Sequence, residues 1–68
     1  MEIRTLSTFL RVAELSSFSH AAAQLGYSQA AVTIQIRQLE QELGVQLFER
    51  IGKKVKLTEE GRHLIHKA

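Results

Sequence analysis

The stretch from Ser28 to Leu43 constrains the fold of this chain more than any other. Its apolar residues recur three or four positions apart, at Val32, Ile36, Leu39 and Leu43. At about 100° per residue, this spacing predicts a helix with one narrow buried edge. The outward positions are Ala30, Ile34, Arg37 and Gln41, with Thr33 and Gln38 on the flanks. Because a helix face that is only solvated is usually rich in Glu and Lys, this acid-free face indicates another use.

A second, shorter helix is predicted just before this one, over residues 18–25. Its buried side is expected to consist of Phe18, Ala21, Ala22 and Leu25. Ser17 suits its N-cap, and Gly26 suits the left-handed residue at its end. Tyr27 then closes the turn, and Ser28 caps the next helix. Helix, short turn with glycine, helix is the helix-turn-helix plan, in which the second helix enters the major groove of DNA.

A first helix is predicted before this pair, over residues 2–15. Its expected main face consists of Ile3, Leu6, Leu10 and Ala13, with Phe9 and Val12 widening it. This spacing is typical of a helix that packs on a core as scaffold. At the other end of the pair, Gly44 is expected to terminate the third helix in the left-handed conformation.

A β-hairpin is predicted after the third helix. Residues 47–51 and 54–57 are short runs rich in branched and aromatic side chains, and they are joined across Gly52 and Lys53. A hairpin in this position is called a wing. Its cationic tip would be placed to reach DNA phosphates or a minor groove.

A last helix is predicted to begin after Thr58, which is its expected N-cap. Glu59 and Glu60 suit the positive end of that helix's dipole. The helix pattern reaches Ala68 without a Gly, Asn or Pro that would stop it. We therefore expect the chain to be cut inside a longer helix.

The distribution of charge is more informative than its sum. The formal charge is +2 and the isoelectric point about 9.4, which is only mildly basic. However, residues 15–39 contain no Asp or Glu, and residues 50–56 carry four cations and no acid. These two regions therefore face few competing charges, as a surface for an anionic partner would.

Length and residue types exclude several classes of protein. Sixty-eight residues allow one small domain, which buries only about 60% of the surface of the unfolded chain. There is no Cys, which excludes disulfides and thiolate zinc sites. There is also no apolar run near the ~20 residues of a membrane span, and the N-terminus does not have the pattern of a signal peptide. We therefore expect a cytoplasmic, nucleoid-associated protein. His63 and His66 have a two-ligand spacing but no third ligand nearby, so no metal or cofactor is expected. No nucleophile–base pair or phosphate loop is present, and an enzyme is not expected.

The chain resembles the N-terminal DNA-binding domain of LysR-type transcriptional regulators. The resemblance covers nearly all of the chain and rests on the run FLRVAELSSFSHAAAQLGYSQAAVTIQIRQLEQELGVQLFER and the wing ending in LTEEG. It implies a fold that is mainly α with a small β-hairpin. This winged helix-turn-helix would have a three-helix core, a two-stranded wing and the start of a linker helix.

The resemblance also implies an organisation and partners. Residues 1–57 would form the DNA-binding domain, and residues 58–68 would begin a linker helix through which the parent protein forms a homodimer. The other partner would be a double-stranded DNA operator. A small-molecule effector would bind a C-terminal domain that is absent here. The family commonly has Pro where Ala30 stands, and Ala there is expected to leave the fold unchanged. The family commonly has Arg where Ile34 stands, and because Ile removes a base or phosphate contact, the preferred operator is expected to depart from the family's usual pattern.

The family's DNA contacts, carried onto matching positions, fall mainly on the recognition helix, residues 29–43. Base contacts would come from Gln29, Ala30, Ala31, Thr33 and Ile34, and contacts nearer the backbone from Gln35, Arg37 and Gln38. A Gln amide matches the major-groove edge of adenine, and an apolar side chain can touch the methyl of thymine. Arg37 would contact a phosphate or a guanine. The alternative is that these are only solvated helix residues.

The wing, residues 50–56, supplies the remaining expected contacts. Lys53 resembles the family's wing cation that enters the minor groove, and Arg50 and Lys54 would lie near phosphates. A solvated basic turn is the alternative for all three. For the whole chain, the rival hypothesis is a winged helix used as a protein-interaction module without sequence-specific DNA binding. That hypothesis predicts an acidic or apolar third helix and a neutral wing, which the sequence does not have.

Overall fold

The computed structural model describes residues 3–51 and 54–67. Its elements are α1 (Ile3–Leu15), α2 (Phe18–Leu25), α3 (Gln29–Leu43), β1 (Phe48–Ile51), β2 (Lys54–Leu57) and α4 (Glu59–Lys67). The expected fold, three helices followed by a two-stranded wing and a further helix, is confirmed. The strands are antiparallel, with Phe48 opposite Leu57 and Ile51 opposite Lys54. Leu47, expected in the first strand, lies one residue before it.

The core lies where α1, α2 and α3 pack against one another. Its buried apolar residues are Phe9, Val12, Phe18, Ala21, Ala22, Val32, Ile36, Leu39 and Leu47. Ala21 and Ala22 of α2 are buried as expected, and their small side chains let the helices approach closely. Leu25, also expected to be buried, is only half-buried. Every cap expected in this region is present: Ser17 accepts from the backbone N–H of His20, and Gly26 and Gly44 have φ of 77° and 71°.

The buried face of α1 differs from the expected one. The sequence favoured the stripe of Ile3 and Leu10, but these side chains are 86% and 38% exposed. Phe9 and Val12, which were expected only to widen that face, are fully buried together with Thr8, and Leu6 is half-buried against the core. Leu10 lies about 160° around the helix from Val12, so the two cannot both face the core. The apolar arc of α1 is wide, and the large ring of Phe9 decides which part of it turns inward.

The sequence pattern also predicts the wrong burial for the last residue of the α3 stripe. Val32, Ile36 and Leu39 are buried as expected, but Leu43 is 40% exposed. The chain turns back at Gly44, and Leu47, which is fully buried, closes this end of the core instead.

The wing is attached to the helices through an aromatic cluster. The ring of Phe48 on β1 lies 5.4 Å from that of Phe9 and 5.8 Å from that of Phe18. The second contact is edge-to-face, a favoured geometry that contributes about 0.5–1.5 kcal/mol beyond burial. The base of the wing is therefore fixed relative to α1 and α2.

Helix α4 begins as expected and packs on β2. Thr58 accepts a hydrogen bond at its hydroxyl from the N–H of Gly61, which confirms it as the N-cap. Leu64 and Ile65 are half-buried against the core, so part of each stays at the surface. In the parts of the chain that the structure describes, no helix is long and apolar enough to cross a membrane.

Candidate nucleic-acid interface

The turn between α2 and α3 fixes the direction in which α3 leaves the core. Gly26 donates its backbone N–H to the carbonyl of Ala22, and the N–H of Tyr27 lies 2.9 Å from the same oxygen. The φ of 77° at Gly26 is the left-handed region that glycine adopts at little cost. Ser28 then accepts from the N–H of Ala31 at 3.1 Å and caps α3. Local bonds thus define the angle between the two helices.

The outer surface of the first turns of α3 carries most of the residues expected to meet DNA. Five of them are exposed: Gln29, Ala30, Ile34, Arg37 and Gln38. Two more, Ala31 and Thr33, are half-buried. The Thr33 hydroxyl donates to the carbonyl of Gln29 at 3.0 Å, so its proton is used inside the helix. To a base it can therefore offer lone pairs and a methyl group.

Gln35 makes a hydrogen bond to α1 that the sequence did not indicate. Its Oε1 lies 2.7 Å from the hydroxyl of Thr8, which donates to it across the α1–α3 contact. Thr8 is buried, and the same hydroxyl is 3.0 Å from the carbonyl of Arg4. A buried hydroxyl needs such a partner. Gln35 is thus tied to α1 as well as lying beside the outer face of α3.

The wing brings further cations to the same side of the molecule. The Arg50 guanidinium lies 4.9 Å above the ring of Phe18, a cation–π contact that orients it. Lys54 is exposed at the start of β2. One surface hollow is lined by Ser17, Phe18, Ser19, Gln29, Arg50, Lys54 and Val55. The N-terminal ends of α2 and α3 therefore meet the wing here, while Lys53 lies outside the described residues.

One residue that matters to this site was missed from the sequence. Glu40 accepts from the backbone N–H groups of Leu47 and Phe48, at 2.7 and 3.4 Å. It thereby holds the segment that leads from α3 into the wing. A signal existed, since an acidic side chain in the last turn of a helix interacts unfavourably with the helix dipole.

Gly61 is the other residue whose role the sequence did not reveal. A Cβ at this position would lie 2.5 Å from the carbonyl oxygen of Leu47 and 2.7 Å from Cδ2 of Leu57. The N–H of Thr58 donates to that same Leu47 oxygen at 3.0 Å. Because only glycine fits here, α4 can lie close against the segment that Glu40 holds from the other side.

The described part of the chain contains no cluster of metal-ligating side chains. Over residues 3–51 and 54–67, no three His, Asp or Glu side chains come together as a metal site would require. The arrangement combines an exposed helix face without carboxylates and a cationic hairpin beside it. This combination matches the shape and charge of a DNA groove and its phosphates.

Comparisons with known proteins agree with this geometry. The sequence model for bacterial regulatory helix-turn-helix proteins of the lysR family matches residues 3–62. The chain is 50% identical, over 97% of its length, to the RuBisCO operon transcriptional regulator of Allochromatium vinosum. It covers 22% of that protein, and 47% of a second regulator, from Azotobacter vinelandii. The chain thus spans between about a fifth and a half of the length of these curated relatives.

Solved structures give the same result for the fold. The crystal structure of the CbnR DNA-binding domain in complex with DNA superimposes with a TM-score of 0.94 at 39% identity. The match covers 98% of this chain and 77% of that one. The BenM DNA-binding domain on its benA site 1 DNA gives a TM-score of 0.92 at 43% identity, over 98% of this chain and 75% of that one.

Proposed function

This chain belongs to the LysR family of bacterial helix-turn-helix regulators, and we propose that it binds double-stranded DNA in a sequence-specific way as the DNA-binding domain of a transcriptional regulator. The observation that carries the proposal is the exposed, acid-free outer face on the first turns of α3, beside a cationic wing. The family is one of DNA-binding regulators and not of enzymes, and the proposal contains no catalytic step. A regulator of this kind acts in the cytoplasm, on the nucleoid.

In the proposed complex, the N-terminal half of α3 lies in the major groove. Gln29 is exposed at the first position of the helix, where its amide can pair with the donor and acceptor of adenine. The other proposed base contacts are Ala30, Ala31, Thr33 and Ile34. Ala30 and Ala31 have short side chains, so the helix backbone can approach the bases closely.

Phosphate and wing contacts complete the proposed interface. Arg37 and Gln38 are exposed about one turn beyond the base-reading residues, and we propose that they and Gln35, which is hydrogen-bonded to Thr8 of α1, lie near the backbone of the DNA. Arg50, held over Phe18, and Lys54, which lines the same surface hollow, would contact phosphates beside the groove. We propose a minor-groove contact for Lys53 from its place in the sequence alone. Positioning contacts of this kind fix the register, while base contacts give specificity.

The remaining proposals concern the longer protein of which this domain would be part. Residues 1–57 form the DNA-binding unit, and α4 begins the linker helix of a homodimer. Leu64 and Ile65, which keep part of their surface exposed, are available to the second copy. A small-molecule effector would act through a further domain.

Selection of bound sequences from random duplexes, followed by affinity measurements, tests the proposed function. We expect an enriched sequence that contains adenine opposite Gln29, and a loss of about tenfold in affinity for it in Gln29→Ala. Gln41→Ala is the matched control, because it removes the same amide from an exposed position at the other end of α3. If no sequence is enriched, or if Gln41→Ala weakens binding as much as Gln29→Ala, the proposed function is wrong.

A further inference from the structure

Ile34 is an exposed apolar side chain in the middle of α3. The relative exposure of its side chain is 56%, whereas the buried edge of the same helix consists of Val32, Ile36 and Leu39. Exposed branched side chains gain nothing from folding, and moving them out of water is favourable when a partner offers apolar surface. The exposed part of the Ile34 side chain therefore gains free energy only in contact with another molecule.

The surroundings of Ile34 restrict what it can recognise. Ala30 lies exposed one turn before it, and the Thr33 hydroxyl proton is donated to the carbonyl of Gln29. Residues 15–39 contain no carboxylate that could accept from the amino group of cytosine. The nearest cation on the outer face is Arg37, about one turn further along. The surface at Ile34 thus offers van der Waals contact in place of hydrogen bonds.

We propose that Ile34 selects a pyrimidine that carries a 5-methyl group at one or two positions of the operator. The inference rests on the proposed function and adds the chemical feature that is read. In the major groove, thymine presents a methyl group at C5, where cytosine presents none. A 5-methylcytosine presents the same group at the same place. The domain is therefore expected to respond to cytosine methylation at the position that faces Ile34.

The test removes or adds this single methyl group in the DNA. In the selected operator, each thymidine is replaced in turn by deoxyuridine, which keeps the base-pairing edge and lacks the methyl. Separately, each T·A pair is replaced by C·G with cytosine or with 5-methylcytosine. Dissociation constants are measured at one salt concentration for the 68-residue chain. We expect about a fourfold loss at one or two uridine positions, the value of one buried methyl group, and recovery of that loss by 5-methylcytosine relative to cytosine.

Variants of the protein assign the effect to Ile34. In Ile34→Ala, the same uridine replacements should change affinity by less than about 1.5-fold, since the methyl then has no partner. Ile34→Leu keeps an apolar side chain and should keep the discrimination. Leu43→Ala is the matched control, because Leu43 is 40% exposed on the same helix but lies at its far end. Its methyl sensitivity should equal that of the unchanged chain.

Two outcomes separate this inference from the proposed function. If the chain selects an operator but no uridine position weakens binding, or if Ile34→Ala keeps the full sensitivity, the inference is wrong and sequence-specific binding stands. If no operator is selected at all, the proposed function fails, and the inference fails with it. Circular dichroism of each variant verifies that the helices are retained.

Discussion

The two halves of α3 share one buried edge and use the rest of their surface in different ways. The N-terminal half, from Gln29, presents small, amide and apolar side chains and one cation to the outside. The C-terminal half carries Glu40 and Glu42, and the Glu40 carboxylate accepts hydrogen bonds from the backbone N–H groups of Leu47 and Phe48. One half is thus free to meet a partner, and the other is anchored to the wing.

This difference shows how a small domain keeps a recognition surface rigid without burying it. Residues on the N-terminal half form few hydrogen bonds outside the helix. Their positions therefore depend on the direction of the helix axis. That axis is set by the Ser28 cap at one end and by the Glu40 contacts at the other. Substitutions near the Glu40 contacts should therefore affect stability most, and substitutions in the N-terminal half of α3 should affect DNA binding most.

Gly61→Ala should have the largest effect. The added Cβ would meet the carbonyl oxygen of Leu47 at 2.5 Å, and backbone cannot move aside as a flexible side chain can. We expect a loss of about 3 kcal/mol in the free energy of unfolding, measured by urea titration. Gly44→Ala provides a comparison in which the cost is strain, since a Cβ there meets no atom within 4 Å but φ is 71°. Unchanged stability in Gly61→Ala would mean that α4 does not lie against Leu47 as described.

Glu40→Ala should destabilise the fold by about 2 kcal/mol, because the N–H groups of Leu47 and Phe48 lose their acceptor. Glu40→Gln keeps an oxygen acceptor and should recover part of the loss. Both are measured as shifts in the thermal unfolding midpoint. If the unfolding midpoint of Glu40→Ala equals that of the unchanged chain, the Glu40 hydrogen bonds do not hold the C-terminal half of α3 to the wing.

Ser28→Ala should cost about 1 kcal/mol of stability through loss of the N-cap to Ala31. Ser28→Asp retains an acceptor and serves as the control. Since this cap sets the start of the recognition surface, hydrogen exchange at the N–H of Ala31 should quicken in Ser28→Ala and not in Ser28→Asp. Equal exchange in the two variants would show that the cap contributes nothing.

Arg37→Ala should change stability by less than about 0.5 kcal/mol, as expected for an exposed helix position. It should instead weaken DNA binding and reduce the slope of log affinity against log salt by about 0.9, for the loss of one phosphate contact. Arg11→Ala is the control: its guanidinium pairs with Glu14 on α1, at 3.2 Å. An equal effect of both variants on the salt slope would point to total charge and not to the α3 surface.

The local rules of the sequence predicted most of this fold. Caps and glycine turns are decided by a residue and its immediate neighbours, so Ser17, Gly26, Ser28 and Gly44 could be placed in advance. The hairpin was likewise predicted to within one residue. The exposed position of Ile34 followed from helical angle alone and is confirmed.

The errors have one physical cause, which is competition between distant segments for the same space. Leu43 completes a helical stripe, but Leu47 fills the interior at that end. Leu10 fits a stripe on α1, but Phe9 is the side chain that meets the ring of Phe48. The roles of Glu40 and Gly61 also depend on the segment at Leu47. Which helix and wing residues contact DNA stays a prediction.

The salt dependence of operator binding tests the central claim most directly. The 68-residue chain is titrated with the selected operator and with a scrambled duplex between low and moderate salt. With four or five phosphate contacts per chain, log affinity should fall against log salt with a slope of roughly −4 on both duplexes, and the operator should bind more tightly at every salt concentration. A slope near zero, or equal affinity for the two duplexes, would contradict the proposal that this domain reads DNA through the free half of α3.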